Sequence, residues 1–304
     1  MITGINTLSP VREVIRTRDE KKIGATIYRP AREYDKLVII GPSALETQAC
    51  YAPLATYLAE QGVLSITFDY RGVGASVFKT KGKNAVSLHH WGNFDLDAVL
   101  RYAKNTFPGK EIIFIAHGVS GEIVGLAAAS QYINRMVLVN SVLSCSRLWP
   151  LKDRVRLFVL RRFSPFFTRI LQFITGNASF TALPPGVYRE WRNWCANTNG
   201  LFDAFPDSNY RKLQVPILVY SFSDDWHSPA KAVSALLRHF DAAAITWFHG
   251  MPRDFDIRRA GHSGFFCPAY KTLFWQPLLY WFDDQRPPGQ NKGTVKMLPG
   301  YPVE

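Results

Sequence analysis

Residues 111–129 read EIIFIAHGVSGEIVGLAAA. An apolar strand-like run passes through a tight Gly-rich turn into an Ala-rich helical run. That order of strand, turn and helix is the setting of a nucleophile elbow, where a reactive Ser, Cys or Asp stands between small residues. Laid on the common Gly-His-Ser-x-Gly-Gly form, Ala116-His117-Gly118-Val119-Ser120-Gly121 fits at every step except the one that does the chemistry. Gly118 holds the nucleophile's position and has no side chain with which to attack.

Further landmarks lie on either side of this turn. Upstream, Phe68-Asp69-Tyr70-Arg71-Gly72-Val73-Gly74-Ala75-Ser76 forms an FDYRGxGxS motif. Downstream, the buried-strand pattern Pro216–Tyr220 leads into Ser223-Asp224-Asp225-Trp226-His227-Ser228-Pro229, and Ala260-Gly261-His262-Ser263-Gly264-Phe265-Phe266 follows later. Nucleophile position, acid and histidine thus occur in the chain order used by α/β-hydrolases. Over about residues 10–284 the sequence resembles that superfamily, and in detail it looks like a bacterial branch of predicted hydrolases with motifs similar to DDxxxP and GHxGFF.

The resemblance implies an α/β-hydrolase fold: a mostly parallel central sheet flanked by helices, with a helical cap inserted after the sixth strand. It implies that His262 carries the catalytic imidazole and that Asp225 is its acid, since the spacing from Asp225 to Pro229 fits the motif. Asp224 is the alternative acid, and also a candidate cap for the following helix. His117 is scaffold, because the family's histidine before the nucleophile is not a triad member. The oxyanion hole needs only backbone N–H groups, so it survives the loss of a side chain at Gly118. Its donors are expected at Val119, where a helix starts, and at Ala44 in the loop Gly41-Pro42-Ser43-Ala44-Leu45-Glu46.

Ser120 is an alternative nucleophile, as Gly118-Val119-Ser120-Gly121-Glu122 holds half of a G-x-S-x-G pattern. Against it, Glu122 is expected to crowd the strand–helix approach, and a hydroxyl in the first helical turn tends to bond nearby backbone. The glycine at the elbow itself tolerates the strained backbone there without a Cβ clash.

Around the motifs, strand patterns at 22–28, 36–41, 63–69, 111–116, 135–140, 215–220 and 244–249 alternate with helical patterns at 51–61, 94–106, 121–130, 229–239 and 270–282. In 94–106 the apolar residues Phe94, Leu96, Val99, Leu100 and Ala103 fall on one helical face. Such alternation is the βαβ rhythm of a parallel sheet. It fails between 144 and 210, so residues 1–143 and 211–284 are read as core and 144–210 as cap. Residues 285–304, rich in Pro, Gly, Lys and Gln, are read as a weakly ordered tail.

The cap interleaves Arg147, Lys152, Arg154, Arg156, Arg161, Arg162 and Arg169 with Trp149, Phe158, Phe163, Phe166, Phe167 and Phe173. A cap facing a pocket on one side and water on the other accounts for both residue types. Basic amphipathic helices also fit peripheral membrane contact, and the arginines fit an anionic substrate group such as a carboxylate, phosphate or coenzyme A moiety. The net charge of +12 permits nucleic acid, but no recognised nucleic-acid module is present.

With 304 residues and 47% hydrophobic content, the chain can bury a full core. Residues 1–22 carry charges and no sustained apolar run, so they read as neither signal peptide nor anchor. No run approaches the roughly 18 apolar residues of a spanning helix. Cys50, Cys145, Cys195 and Cys267 are far apart and form no C-x-x-C pair. They read as free thiols of a cytoplasmic protein. No metal and no cofactor is expected.

Two functions follow. One is an enzyme in which His262 and Asp225 act as base and orienter on a largely apolar, carbonyl-containing small molecule, without the usual Ser nucleophile. Water attack, elimination, isomerisation and cofactor-free oxygen chemistry all fit that dyad. The other is a non-catalytic pseudoenzyme that keeps the pocket for a lipophilic ligand. Retention of both dyad positions favours the enzyme.

Overall fold

Uninterrupted apolar runs become the centre of one sheet, because strands covered on both faces need no polar side. The computed structural model describes residues 9–32, 35–77, 86–157 and 183–284, and the backbone of 294–296. Among these residues, nine strands form the sheet: β1 Val11–Arg16, β2 Lys22–Tyr28, β3 Lys36–Gly41, β4 Leu64–Phe68, β5 Glu111–His117, β6 Arg135–Val139, β7 Ile217–Phe222, β8 Ile245–Gly250 and β9 Thr294–Lys296. Their order is β1-β2-β4-β3-β5-β6-β7-β8-β9. From β4 to β8 all neighbours are parallel, whereas β1, β2 and β9 join antiparallel. β3, β4 and β7 are buried along their whole length.

The period-2 alternation of side chains divides the core into two faces. Leu37, Ile39, Ile66, Phe114, Leu138 and Val219 pack on one side. Val38, Ile40, Ile113, Ile115, Val137 and Leu218 pack on the other. Helices over Ala52–Glu60, Asp97–Thr106, Ala230–Leu237 and Gln276–Phe282 cover these faces. This is the mostly parallel α/β architecture that the resemblance implies.

Strand β1 escapes the sequence reading because only Ile15 of VREVIR is buried. Its addition makes Arg135–Val139 the sixth strand, and the insertion follows it. The helix expected over 121–130 is broken: α-helix runs only through Val119–Ile123, followed by 3-10 turns at Val124–Leu126 and Ala128–Tyr132. Side chains of the returning segment take the carbonyls a helix would use, Tyr210 Oη donating to Glu122 O and Asn209 Nδ2 to Gly125 O at 3.2 Å. The helix expected over 94–106 opens instead with a π-helical turn, Trp91–Leu96.

Within the inserted segment, the helix Pro185–Ala196 buries Trp194 and Cys195, and Leu201 and Tyr210 are buried beyond it. Residues 158–182 of the expected cap lie outside the described residues. In the expected tail, Thr294–Lys296 pairs with Trp247–His249 of β8, and the other positions likewise lie outside. None of the four cysteines is in a disulfide, and among the described residues no helix is long and apolar enough to cross a membrane.

Candidate active site

Strand β5 delivers its chain into the elbow at Gly118, with φ +53° and ψ −115°, a left-handed conformation that costs a glycine no Cβ clash. The Gly118 N–H donates to Val139 O at 2.9 Å, and the helix Val119–Ile123 begins at the next residue. Close approach of this helix to β6 falls on Gly121, where a Cβ would collide with Ser141 Oγ. Glu122 does not crowd that approach as its size predicts. Its buried carboxylate turns to the start of the insertion and accepts hydrogen bonds from the Ser144 N–H at 2.5 Å and Ser144 Oγ at 2.6 Å. Burial lifts the Glu122 carboxyl to about 7, only partly countered by Ser144.

The loop after β7 carries Asp225. His262 Nδ1 lies 2.7 Å from Asp225 Oδ2, and Asp225 is buried. Two further donors fix this carboxylate: the His227 N–H to Oδ1 at 3.0 Å and the Ser228 hydroxyl to Oδ2. Burial alone would raise the Asp225 carboxyl; the hydrogen bonds of His227 and His262, the charge of His262 and the Ser228 hydroxyl outweigh it and hold Asp225 well below the usual range. Asp224 has a different task. Its Oδ2 accepts the N–H groups of Ala260 and Gly261, both at 3.0 Å, clamping the loop that presents His262.

The His262 backbone is pinned from beneath. Its carbonyl accepts from Asn140 Nδ2 at 2.7 Å and from His117 Nε2 at 3.0 Å. Asn140 holds φ +50° just after β6, a conformation in which Asn is enriched among non-glycine residues. An Asn closing the run MVLV is the only trace of this role in the sequence. His117 in turn meets Tyr51 Oη at 2.8 Å, Tyr51 Oη donates to Glu46 at 2.9 Å, and Ser263 Oγ also donates to Glu46. Burial would raise the Glu46 carboxyl, but the nearby imidazoles and the Ser263 hydroxyl hold it well below its ordinary value.

Two serines border the elbow. Ser120 is buried and its Oγ donates to Pro42 O at 2.7 Å while Tyr70 Oη lies 2.7 Å away. The hydroxyl is therefore engaged with the β3 loop and Tyr70. Ser43, which the sequence reading passes over, sits in that loop with its Oγ 3.1 Å from His262 Nε2. A Cβ built on Gly118 would lie 2.8 Å from Ser43 Oγ and 3.3 Å from His262 Nε2. The Ser43 N–H donates to Tyr51 Oη at 2.8 Å, and Ala44 follows. A serine in a Pro-Ser-Ala loop carries no motif, so only the fold could bring it to notice.

Asp225, His227 and His262 offer ligand atoms within 4.8 Å of one another, the one such group among the described residues.

Against known proteins, the model of the serine aminopeptidase S33 family matches residues 32–184, half of the chain. The chain belongs to that family. It is accordingly a hydrolase-like enzyme by descent. None of the curated proteins matches it. Solved structures share the fold: the esterase EaEST from Exiguobacterium antarcticum has a TM-score of 0.60 at 13% identity, covering 89% of this chain and 99% of that one. An α/β-hydrolase fold protein from Chitinophaga pinensis has 0.60 at 16% identity, covering 90% and 98%. A Pyrococcus furiosus esterase has 0.58 at 14% identity, covering 92% and 90%.

Aromatic side chains flank the dyad of this S33-family chain. The Trp226 and His227 rings are 3.9 Å apart, and the His227 and His262 rings 5.3 Å. Trp149 is buried and its Nε1 donates to Trp226 O at 3.1 Å. Of the arginines in this segment, Arg154 donates to the carbonyls of Trp149 and Arg147, and Arg156 pairs with Asp153 at 3.3 Å while its guanidinium lies 5.8 Å from the centre of the Trp226 ring.

Proposed function

We propose that the protein hydrolyses an acyl bond, an ester in the first instance, of a largely apolar carbonyl-containing small molecule. His262 serves as general base and acid, Asp225 orients it, and the backbone N–H groups of Val119 and Ala44 donate to the oxyanion. The observation that carries this reading is the 2.7 Å contact from His262 Nδ1 to a buried Asp225, which leaves Nε2 facing the elbow. An aspartate held as the anion fixes the tautomer with the proton on Nδ1, and so keeps Nε2 free to take a proton from the reacting hydroxyl. A protein that only bound a ligand would have little use for such an arrangement.

Trp149 and Trp226, and the engagement of Arg154 with backbone carbonyls, support a largely apolar substrate. Esterases among structures of the same fold make esters the first class to try. The test is turnover of nitrophenyl esters of increasing acyl length by the wild type, His262→Ala and Asp225→Asn. Both variants should lower kcat/KM by about 10³-fold or more, through kcat rather than KM. Wild-type turnover that His262→Ala leaves unchanged would refute the assignment, and binding of the esters without any turnover would support the pseudoenzyme reading.

A further inference from the structure

We infer that Ser43 is the nucleophile of this enzyme, its hydroxyl having moved from the elbow to the loop after β3. The inference rests on the acyl-hydrolysis reading above and deepens it. Two independent features carry it. One is the chain of contacts Ser43 Oγ to His262 Nε2 at 3.1 Å, within reach for proton transfer, and His262 Nδ1 to Asp225 Oδ2 at 2.7 Å, which orients the ring. The other is the complementarity of Ser43 and Gly118. The Ser43 hydroxyl stands where an elbow side chain would begin, because a Cβ on Gly118 would come within 2.8 Å of it. Contacts of a real Cβ are essentially never that short, so a residue with a side chain at the elbow and this placement of Ser43 exclude each other.

The surroundings fix Ser43 as a nucleophile must be fixed. Its N–H donates to the buried Tyr51 hydroxyl, and its carbonyl accepts the Glu46 N–H at 3.3 Å. Behind it, Ser120 Oγ holds Pro42 O, so the serine nearest the elbow in sequence anchors the loop that delivers the one nearest in space. Ser43 is 7% exposed, and His262 above it keeps 25% of its side chain open.

The chemistry balances with water as the only co-reactant. Ser43 Oγ attacks the ester carbonyl carbon while its proton passes to His262 Nε2, and the resulting oxyanion is met by the N–H groups of Val119 and Ala44. Collapse breaks the bond to the leaving oxygen, which takes the proton from His262, and an acyl-Ser43 ester remains. Water then gives a proton to His262 and attacks the acyl carbon; the carboxylic acid leaves and Ser43 recovers its hydrogen. In the usual site the elbow gives the hydroxyl and the loop gives an amide. Here the loop gives both.

Labelling with a fluorophosphonate, read by intact mass and peptide mapping, tests the inference. The wild type should take up one phosphonyl group, on Ser43. Ser43→Ala should abolish labelling and lower ester turnover by roughly 10³-fold or more, with its melting temperature unchanged. Gly118→Ser alone should also lose labelling at position 43, because the new side chain displaces the Ser43 hydroxyl. The double variant Ser43→Ala with Gly118→Ser should label at position 118 and so shows the site intact where Ser43→Ala alone is silent. An adduct on another residue, no adduct on the wild type, or a Ser43→Ala enzyme with full turnover would overturn the inference. In the last case, turnover still abolished by His262→Ala leaves the dyad reading standing. An adduct on Ser43 with no ester turnover would uphold the nucleophile and refute the ester class instead.

Discussion

Glu122 sits one residue past the glycine that lets the elbow helix meet β6, and there a buried carboxyl has a measurable signature. Its folded-state value of about 7 lies above the ordinary 4.5. As pH rises from 4.5 towards 7, the unfolded chain releases this proton while the native one keeps it, so stability falls across that window and levels off above it. Glu122→Gln keeps hydrogen-bonding capacity towards Ser144 and removes the charge. It should raise stability at pH 8 by up to about 3 kcal/mol, because each tenfold weakening of proton release corresponds to about 1.4 kcal/mol, and by nothing near pH 4. Thermal melts of both proteins across pH 4–8 check this; parallel curves would show that Glu122 ionises in the native state as easily as in water. The same position shows how residue-scale reading from sequence succeeds and fails. A glutamate at a small-residue position signals strain, yet its direction is set by Ser144, a residue of the next loop that no local pattern connects to it.

Elements whose length and apolar pattern are strong were legible in the sequence. Strands 22–28 and 36–41 appear within those bounds in the structure, because continuous burial on two faces leaves a continuous apolar run. The elbow helix was not, because its break is imposed from elsewhere. Tyr210 packs on Gly125, where a Cβ would collide with its ring, and its hydroxyl takes the Glu122 carbonyl. Helix propensity alone makes Gly125→Ala favourable by about 1 kcal/mol. The tertiary contact reverses the sign: overpacking against a buried ring should make Gly125→Ala destabilising by about 1–3 kcal/mol in denaturant unfolding. A more stable variant would mean that the segment after Ile123 is free to become helical and that Tyr210 does not control it. Strand β1 was missed for the opposite reason, since an edge strand with one buried residue lacks the pattern that marks a strand.

Across the whole molecule, the fold gathers four loops at the end of the parallel strands: the one after β3 with Ser43, the turn after β5 with Gly118, the turn after β7 with Asp225 and the loop after β8 with His262. The meeting of Asp225 with His262 was legible because their motifs are local. Ser43 was not, for its relation to Gly118 exists only across strands β3 and β5, which are adjacent in the sheet but more than seventy residues apart in the chain. The central claim, that a complete Ser-His-Asp triad survives with its hydroxyl on a different loop, is tested most directly by a crystal structure of the protein after reaction with an organophosphate ester. The expected result is phosphorus bonded to Ser43 Oγ, a phosphoryl oxygen directed at the N–H groups of Val119 and Ala44, and His262 still hydrogen-bonded to Asp225. Phosphorus on any other residue, or an unmodified Ser43 beside a reacted Ser120, would contradict it.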